Sequence, residues 1–289
     1  MSFAPHILFP VDFSERCKAV RRAVISVARH FDAKITLLHV AEIPVGWYSL
    51  AGPAQPVLCR VPAETEEAHL QLRAFLGASE PALEVRTVVD CGDPAESITT
   101  YAEQHGVGII MMPTHGRGKF RSLLLGSVTA KVLHDAKCAV WTCAHTESLE
   151  LASGAEYGNI VCAVGLEPAD SGVICYAANM ARSFNARLTL AHAIPLGGFR
   201  SEEFADPDFI HGLLEAGHKE LAARQQEAGT DVPTCVEFGN VAEVVRAVAL
   251  RANADLVVIG RGRLHQRLGR LRTHCYAIVR DSPCAVISV

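Results

Sequence analysis

The sequence predicts an α/β protein built as two tandem open five-stranded parallel sheets, strand order 3-2-1-4-5, with helices on both faces of each. Three observations carry that expectation. Strands alternate with helices along the whole chain, the strands are apolar from end to end, and the order of elements occurs twice. Alternation calls for crossover connections and parallel pairing, and unbroken apolar strands call for burial on both faces.

In the first half, strands are expected near 6–11, 34–40, 83–89, 107–112 and 138–142, with helices near 14–31, 62–77, 94–105 and 127–136. "SERCKAVRRAVISVARHF" places Ala19, Ala23, Val24 and Val27 on one side with arginines opposite, which is a helical period. Ser14 is suited to cap that helix. "GDPAESITTYAEQHG" offers Asp93 as a cap, Pro94 at the first helical position and Gly106 as a stop.

The second half repeats the first. "HILFPVDFSE" aligns with "NIVCAVGLEP" and "AKITLLHV" with "ARLTLAHA", so that Ile7 and Ile160, and His39 and His192, are each 153 positions apart. Gly92 and Gly239 are 147 apart, and Cys138 and Cys284 are 146 apart. Register is lost only between elements, as duplication followed by loop change would give. Domains are therefore expected at 1–147 and 157–289, with the polar, glycine-bearing stretch from Ala144 to Gly158 containing the boundary.

With 49% hydrophobic and 20% charged residues among 289, the chain can bury a substantial core. A net charge of −4 argues against a general nucleic-acid binder. The start, "MSFAPHILFPVDF", lacks the pattern of a signal peptide, and no uncharged run reaches the ~18 residues a bilayer demands. No membrane or nucleic-acid partner is expected, and the location expected is the cytoplasm. Ten cysteines contain no C-x-x-C pair and fall largely in strand-like runs, so reduced thiols are expected, with Cys59 and Cys91 the most accessible.

In such a sheet, ligands bind beyond the carboxyl ends of strands 1 and 4, where the strand order reverses. Strand 1 ends at Val11-Asp12, and strand 4 ends at Met112 before "PTHGRGKF". That loop is not a P-loop: Pro113 stands at the first glycine position and Phe120 follows Lys119. Nor is it a dinucleotide fingerprint, since Arg121 stands where the third glycine belongs. Further on, Gly126-Ser127 opens a helix whose unsatisfied amides form an anion site.

"PVDFS", "LLHV", "GDPAE", "MPTHGRG" and "LLLGSVTAKVL", in this order, resemble the universal stress protein (UspA-like) family, in its tandem form, across essentially the whole chain. The resemblance implies an adenine-nucleotide α-hydrolase-like fold and, from the Gly-x2-Gly-x9-Gly-Ser/Thr motif of its ATP-binding branch, ATP or a related adenine nucleotide (AMP or ADP) in the first domain. This chain supplies Gly116 and Gly126-Ser127, but Pro113 at the first glycine, which has a carbonyl and no N–H to offer. Carried over, Asp12 would meet the ribose or base, and Val40 the adenine through its backbone. Pro113, Thr114, His115 and Gly116 would line the ribose–phosphate side. Gly126, Ser127 and Val128 would hold phosphates, with Mg²⁺ shared between phosphates and Ser127. The resemblance also implies a role in the stress response and an internal pseudo-dimer of the two halves, or a homodimer, formed through the last strands.

Each residue has a plainer reading. Asp12 could cap a helix, His115 could be a solvated loop residue, His39 and His192 could be core histidines, and Arg117, Lys119 and Arg121 could form a charged loop. Trp47 and Tyr48 could cover a base or pack between domains. No paired carboxylates, P-loop lysine or nucleophile–base pair is readable, so at most slow ATP hydrolysis is expected. In the second half Gly165 replaces Asp12, Arg263 replaces Gly116 and Arg272-Thr273 replaces Gly126-Ser127, so a structural partner is expected there. The six arginines from Arg261 to Arg280 could bind another anion or be a solvated face. A nucleotide-independent interaction module, pairing through "CAVWTC" and "CAVISV", is the alternative. A ligase or hydrolase of the related fold would need "SGGxDS" or "HxGH" where this chain has "PVDFSER".

Overall fold

The computed structural model describes residues 5–41, 62–76, 83–115, 125–144, 157–195, 206–261 and 270–289. In the first half the order is β1 (His6–Pro10), α1 (Glu15–Phe31), β2 (Lys34–Ala41), α2 (Pro62–Phe75), β3 (Val85–Cys91), α3 (Pro94–Gln104), β4 (Ile109–Pro113), α4 (Ser127–Asp135) and β5 (Ala139–Cys143). The second half repeats it with β6 (Asn159–Ala163), α5 (Asp170–Phe184), β7 (Arg187–Ile194), α6 (Pro207–Glu227), β8 (Thr234–Phe238), α7 (Val241–Arg251), β9 (Leu256–Ile259), α8 (Arg270–Asp281) and β10 (Ala285–Ser288).

Strands run in the order β3-β2-β1-β4-β5 in the first half and β8-β7-β6-β9-β10 in the second, and the registered pairs are parallel. The expected 3-2-1-4-5 order holds twice. β1 and β6 are central, and Ile7, Leu8, Phe9, Val161 and Cys162 have no exposed surface. Two-sided burial explains why these segments read as continuous apolar runs rather than alternating ones.

The helix boundaries follow local chemistry. Ser14 caps α1 by accepting from the Cys17 amide at 3.2 Å, and Asp93 caps α3 by accepting from Glu96 at 2.9 Å. α1 ends on Asp32 and α5 on Asn185, both left-handed, with φ of 52° and 53°. Asp and Asn are the non-glycine residues that tolerate this conformation.

By packing, the chain forms two compact units divided inside β5: Ala139 and Val140 belong to the first, Trp141–Cys143 to the second. Within the second unit, Thr142 Oγ1 donates to the Val286 carbonyl of β10 at 3.4 Å, and Trp141 Nε1 donates to the Tyr157 hydroxyl at 2.9 Å. That unit's sheet is therefore longer than the five strands expected. Eight described cysteines are thiols, whereas Cys91, at the end of β3, is disulfide-bonded. This departs from the expectation of uniformly reduced cysteines. No described helix is long and apolar enough to cross a membrane.

The exit of the central strand is built the same way in both units. The Val11 amide donates to the Leu38 carbonyl at 2.8 Å, and the Val11 carbonyl accepts from His39 Nδ1 at 2.7 Å. The Val164 amide donates to Ala191 at 2.9 Å, and its carbonyl accepts from His192 Nδ1 at 2.8 Å. Two residues later Phe13 and Leu166 take positive φ, 60° and 72°. The two histidines thus satisfy a buried carbonyl where the sheet ends. His39→Ala and His192→Ala should each lower unfolding free energy by about 1–3 kcal/mol, the cost of orphaning such a carbonyl. Urea denaturation checks this, and an unchanged midpoint in either variant would show that its bond is idle.

Candidate functional site

The switch point of the first unit lies between the ends of β1 and β4. Beyond β1, the Asp12 carboxylate accepts from the Ser14 amide at 3.0 Å and from the Ser14 hydroxyl at 2.7 Å. Asp12 therefore anchors the residue that caps α1, which is the plainer of its two readings, while standing half-buried at the crevice edge.

Val40 lies at the end of β2. Leu38 accepts from β1 through Val11, and Ala41 accepts from Gly92 on the other side at 3.1 Å. Backbone direction alternates along a strand, so the N–H and C=O of Val40 point to the β1 side. The β1–β2 register ends at Pro10↔Leu38, so they face the crevice rather than a neighbouring strand.

Across the crevice, β4 ends in Pro113, Thr114 and His115. The buried Pro113 carbonyl accepts from Thr129 Oγ1 at 3.1 Å, so it holds the start of α4. The Thr114 carbonyl accepts from the Gly126 amide at 2.9 Å. These two bonds stitch α4 to the strand end. A Cβ on Gly126 would stand 3.0 Å from that Thr114 oxygen, which explains the glycine. Gly126 is the N-cap and contributes no side-chain cap. The amides of the first turn, where the half-buried Val128 and the exposed Ser127 lie, have no intrahelical acceptor. Gly116 lies outside the described residues, as do Trp47, Tyr48, Arg117, Lys119 and Arg121.

His115 completes this wall. Its Nδ1 meets Thr114 Oγ1 at 3.0 Å, and its Nε2 is buried without a hydrogen-bond partner. Burial, and secondarily the Arg16 guanidinium, holds the imidazole below its ordinary pKa, so the ring is neutral at neutral pH. A buried ring nitrogen without a partner costs stability unless something meets it. An uncapped helix start, a glycine-only approach and an orphaned imidazole nitrogen together fit an anionic, oxygen-rich ligand.

The structure brings together Thr114, His115, Gly126, Ser127 and Val128 on the β4–α4 side, and Asp12 and Val40 on the β1–β2 side. Three contributors were not singled out in the sequence. Thr129 could have been found as a hydroxyl in the first turn of a strand-following helix. Arg16 could have been found as a cation in the first helical turn, where acids are the rule. The third is Asp170, in the second unit. A Cβ on Gly165 would stand 3.0 Å from Asp170 Oδ2, and one on Gly260 would stand 3.6 Å from Asp170 Oδ1. Asp170 Oδ2 also accepts from the Glu167 amide at 2.7 Å. A carboxylate thus occupies the exits of β6 and β9. Arg263 lies outside the described residues, and so do the side chains of Arg272 and Thr273.

Fold and crevice together define a doubly wound α/β protein with a helix start directed at its switch point. The model of the universal stress protein family matches residues 4–143 and 156–289, and the chain belongs to that family. It is 27% identical over 135 residues to the universal stress protein MJ0531 of Methanocaldococcus jannaschii, spanning 46% of this chain and 78% of that one. It is 26% identical over 140 residues to YxiE of Bacillus subtilis, spanning 46% and 95%. Over the full length it superposes on the crystal structure of a universal stress protein from Archaeoglobus fulgidus with a TM-score of 0.67, covering 99% of this chain and 96% of the other at 20% identity. That likeness concerns the fold.

Substituting Gly126→Ala should destabilise the protein by about 1–3 kcal/mol, the usual cost of overpacking, because the new methyl group presses on the Thr114 carbonyl. Urea unfolding measures it, and unchanged stability would mean that the α4 start moves freely.

Proposed function

We propose that the first domain, 1–147, binds ATP or a related adenine nucleotide, AMP or ADP, and that the second, 157–289, is its structural partner, within a stress-response regulator or sensor. The observation that carries this reading is the uncapped α4 start, hydrogen-bonded through the Gly126 amide to the β4 exit, beside the orphaned His115 Nε2. Adenine would pair with the Val40 backbone, as one strand pairs with the next. Ribose hydroxyls would meet Asp12 and Thr114. Phosphates would take the amides of Ser127 and Val128, as anions do at helix starts. Gly116 would follow on the phosphate side. Pro113 has less to give than its place in the motif implies, because its carbonyl already serves Thr129.

Among the described residues no group of three or more His, Cys, Asp or Glu could hold a metal. Mg²⁺ would thus arrive with the phosphates and touch the protein through the Ser127 hydroxyl. The chemistry supported is binding, with slow hydrolysis at most.

The engagement of Asp12 with Ser14 favours the rival reading, a nucleotide-independent module acting through pairing of the halves or a homodimer. Isothermal titration with ATP separates the two. Wild type should show a single saturable site per chain, since Asp170 repels phosphate in the second unit. Gly126→Arg should weaken binding by roughly tenfold or more, about 1.4 kcal/mol. No saturable heat from wild type, or equal affinity in the folded variant, would overturn the nucleotide reading.

A further inference from the structure

Arg16 is in an unusual electrostatic position. It lies in the first turn of α1, where unsatisfied amides already present positive charge and a cation is disfavoured. The nearby acids are engaged elsewhere: Glu15 pairs with Lys18 at 2.7 Å, and the Asp12 carboxylate takes the amide and hydroxyl of Ser14. Lys131, Lys137, Arg224, Arg251 and Arg280 all pair with carboxylates. Among the described residues the Arg16 side chain makes no hydrogen bond and no ion pair.

Its direction is set by the fold. α1 begins at the β1 exit and packs against β4, so its first turn borders the crevice. Arg16 is half-buried, and its charge is the secondary cause, after burial, that opposes protonation of His115 at the β4 exit. The fold thus sets Arg16 on the α1 side of the crevice, the unpartnered His115 Nε2 at the β4 exit and the amides of Ser127 and Val128 at the α4 start. A guanidinium of this kind matches phosphate oxygens two at a time.

We propose that Arg16 pairs directly with the phosphate chain of the ligand and so determines the preference of this crevice for phosphorylated nucleosides over the bare nucleoside. The proposal rests on the adenine-nucleotide reading and deepens it. The helix amides bind any anion and are shared by many helices, whereas the guanidinium carries a full charge and a geometry matched to phosphate oxygens.

The test is a titration of wild type, Arg16→Gln and Arg16→Lys with ATP, with adenosine and with inorganic tripolyphosphate, at low and at raised salt. Arg16→Gln should weaken ATP and tripolyphosphate by roughly tenfold or more, leave adenosine unchanged and flatten the salt dependence. Arg16→Lys should recover part of the loss. The urea midpoint of Arg16→Gln should equal or exceed that of wild type, because a cation leaves the positive end of a helix. An unchanged ATP-to-adenosine ratio in Arg16→Gln would overturn the role. If wild type binds neither ATP nor adenosine, the nucleotide reading fails, and tripolyphosphate decides for Arg16. Binding by wild type and not by Arg16→Gln sustains the phosphate contact, and no binding by either ends it.

Discussion

The constraint on which the rest depends is the ending of the central strand. A strand flanked on both sides must stop while its neighbour continues, and that leaves a buried carbonyl to satisfy. Here a histidine from the neighbouring strand donates to it, in both units, with matching distances of 2.7 and 2.8 Å. The turn that follows, through left-handed Phe13 or Leu166, fixes where the next helix begins. Because backbone and histidine carry this load, the residue between them need not. It is a carboxylate at Asp12 and a hydrogen atom at Gly165, and the fold accepts both. Duplication could therefore preserve the scaffold while the crevices diverged.

The divergence is electrostatic. In the first unit, the uncapped α4 start and the unpartnered His115 Nε2 border the crevice, and the Arg16 charge acts on that ring. In the second, Asp170 places its carboxylate against Gly165 and Gly260. A like charge about 4 Å from an arriving phosphate costs about 1 kcal/mol in water and about 4 kcal/mol at a protein surface. A hydrogen bond to a charged group returns about 1.5–3 kcal/mol. Near a low-dielectric wall the repulsion is at least as large as a single gained contact, so a carboxylate at both strand exits disfavours an anion there.

Much of this was legible in the sequence because it is local. Ser14 and Asp93 announce their helices by the chemistry of their own hydroxyl and carboxylate, and the continuous apolar strands announce two-sided burial. The repeat gave the correspondence of His39 with His192 directly. What was not legible depends on contacts between remote segments. The bond from Thr129 to Pro113 closes 16 positions, and nothing in either residue names the other. The division of β5 after Val140 comes from tertiary packing, since "CAVWTC" is equally apolar on both sides of the break. Asp170 carries no signal in the sequence beyond an acid in a first helical turn, and only the fold places it at two strand exits. Arg16 broke a local rule openly, since a basic residue stood where an acid is favoured. Such violations are where function is to be sought.

That violation has a bounded cost. A cation in the first turn of a helix loses about 0.3–1 kcal/mol against the macrodipole, whereas a serine cap such as Ser14 contributes about 0.5–2 kcal/mol. The cap outweighs the misplaced charge, and Asp12 strengthens it by fixing the Ser14 hydroxyl at 2.7 Å. Asp12 thus helps offset the cost of a cation in the first turn of α1. His115 divides the remaining work. Burial and Arg16 hold its pKa down, so the ring adds no second charge beside the first, and with Nδ1 engaged by the Thr114 hydroxyl, Nε2 is the ring nitrogen left to meet a ligand. The positive charge on this side rests on the Arg16 guanidinium rather than on the imidazole. A crevice arranged in this way sets a cation and an unpartnered neutral ring nitrogen beside an uncapped helix start.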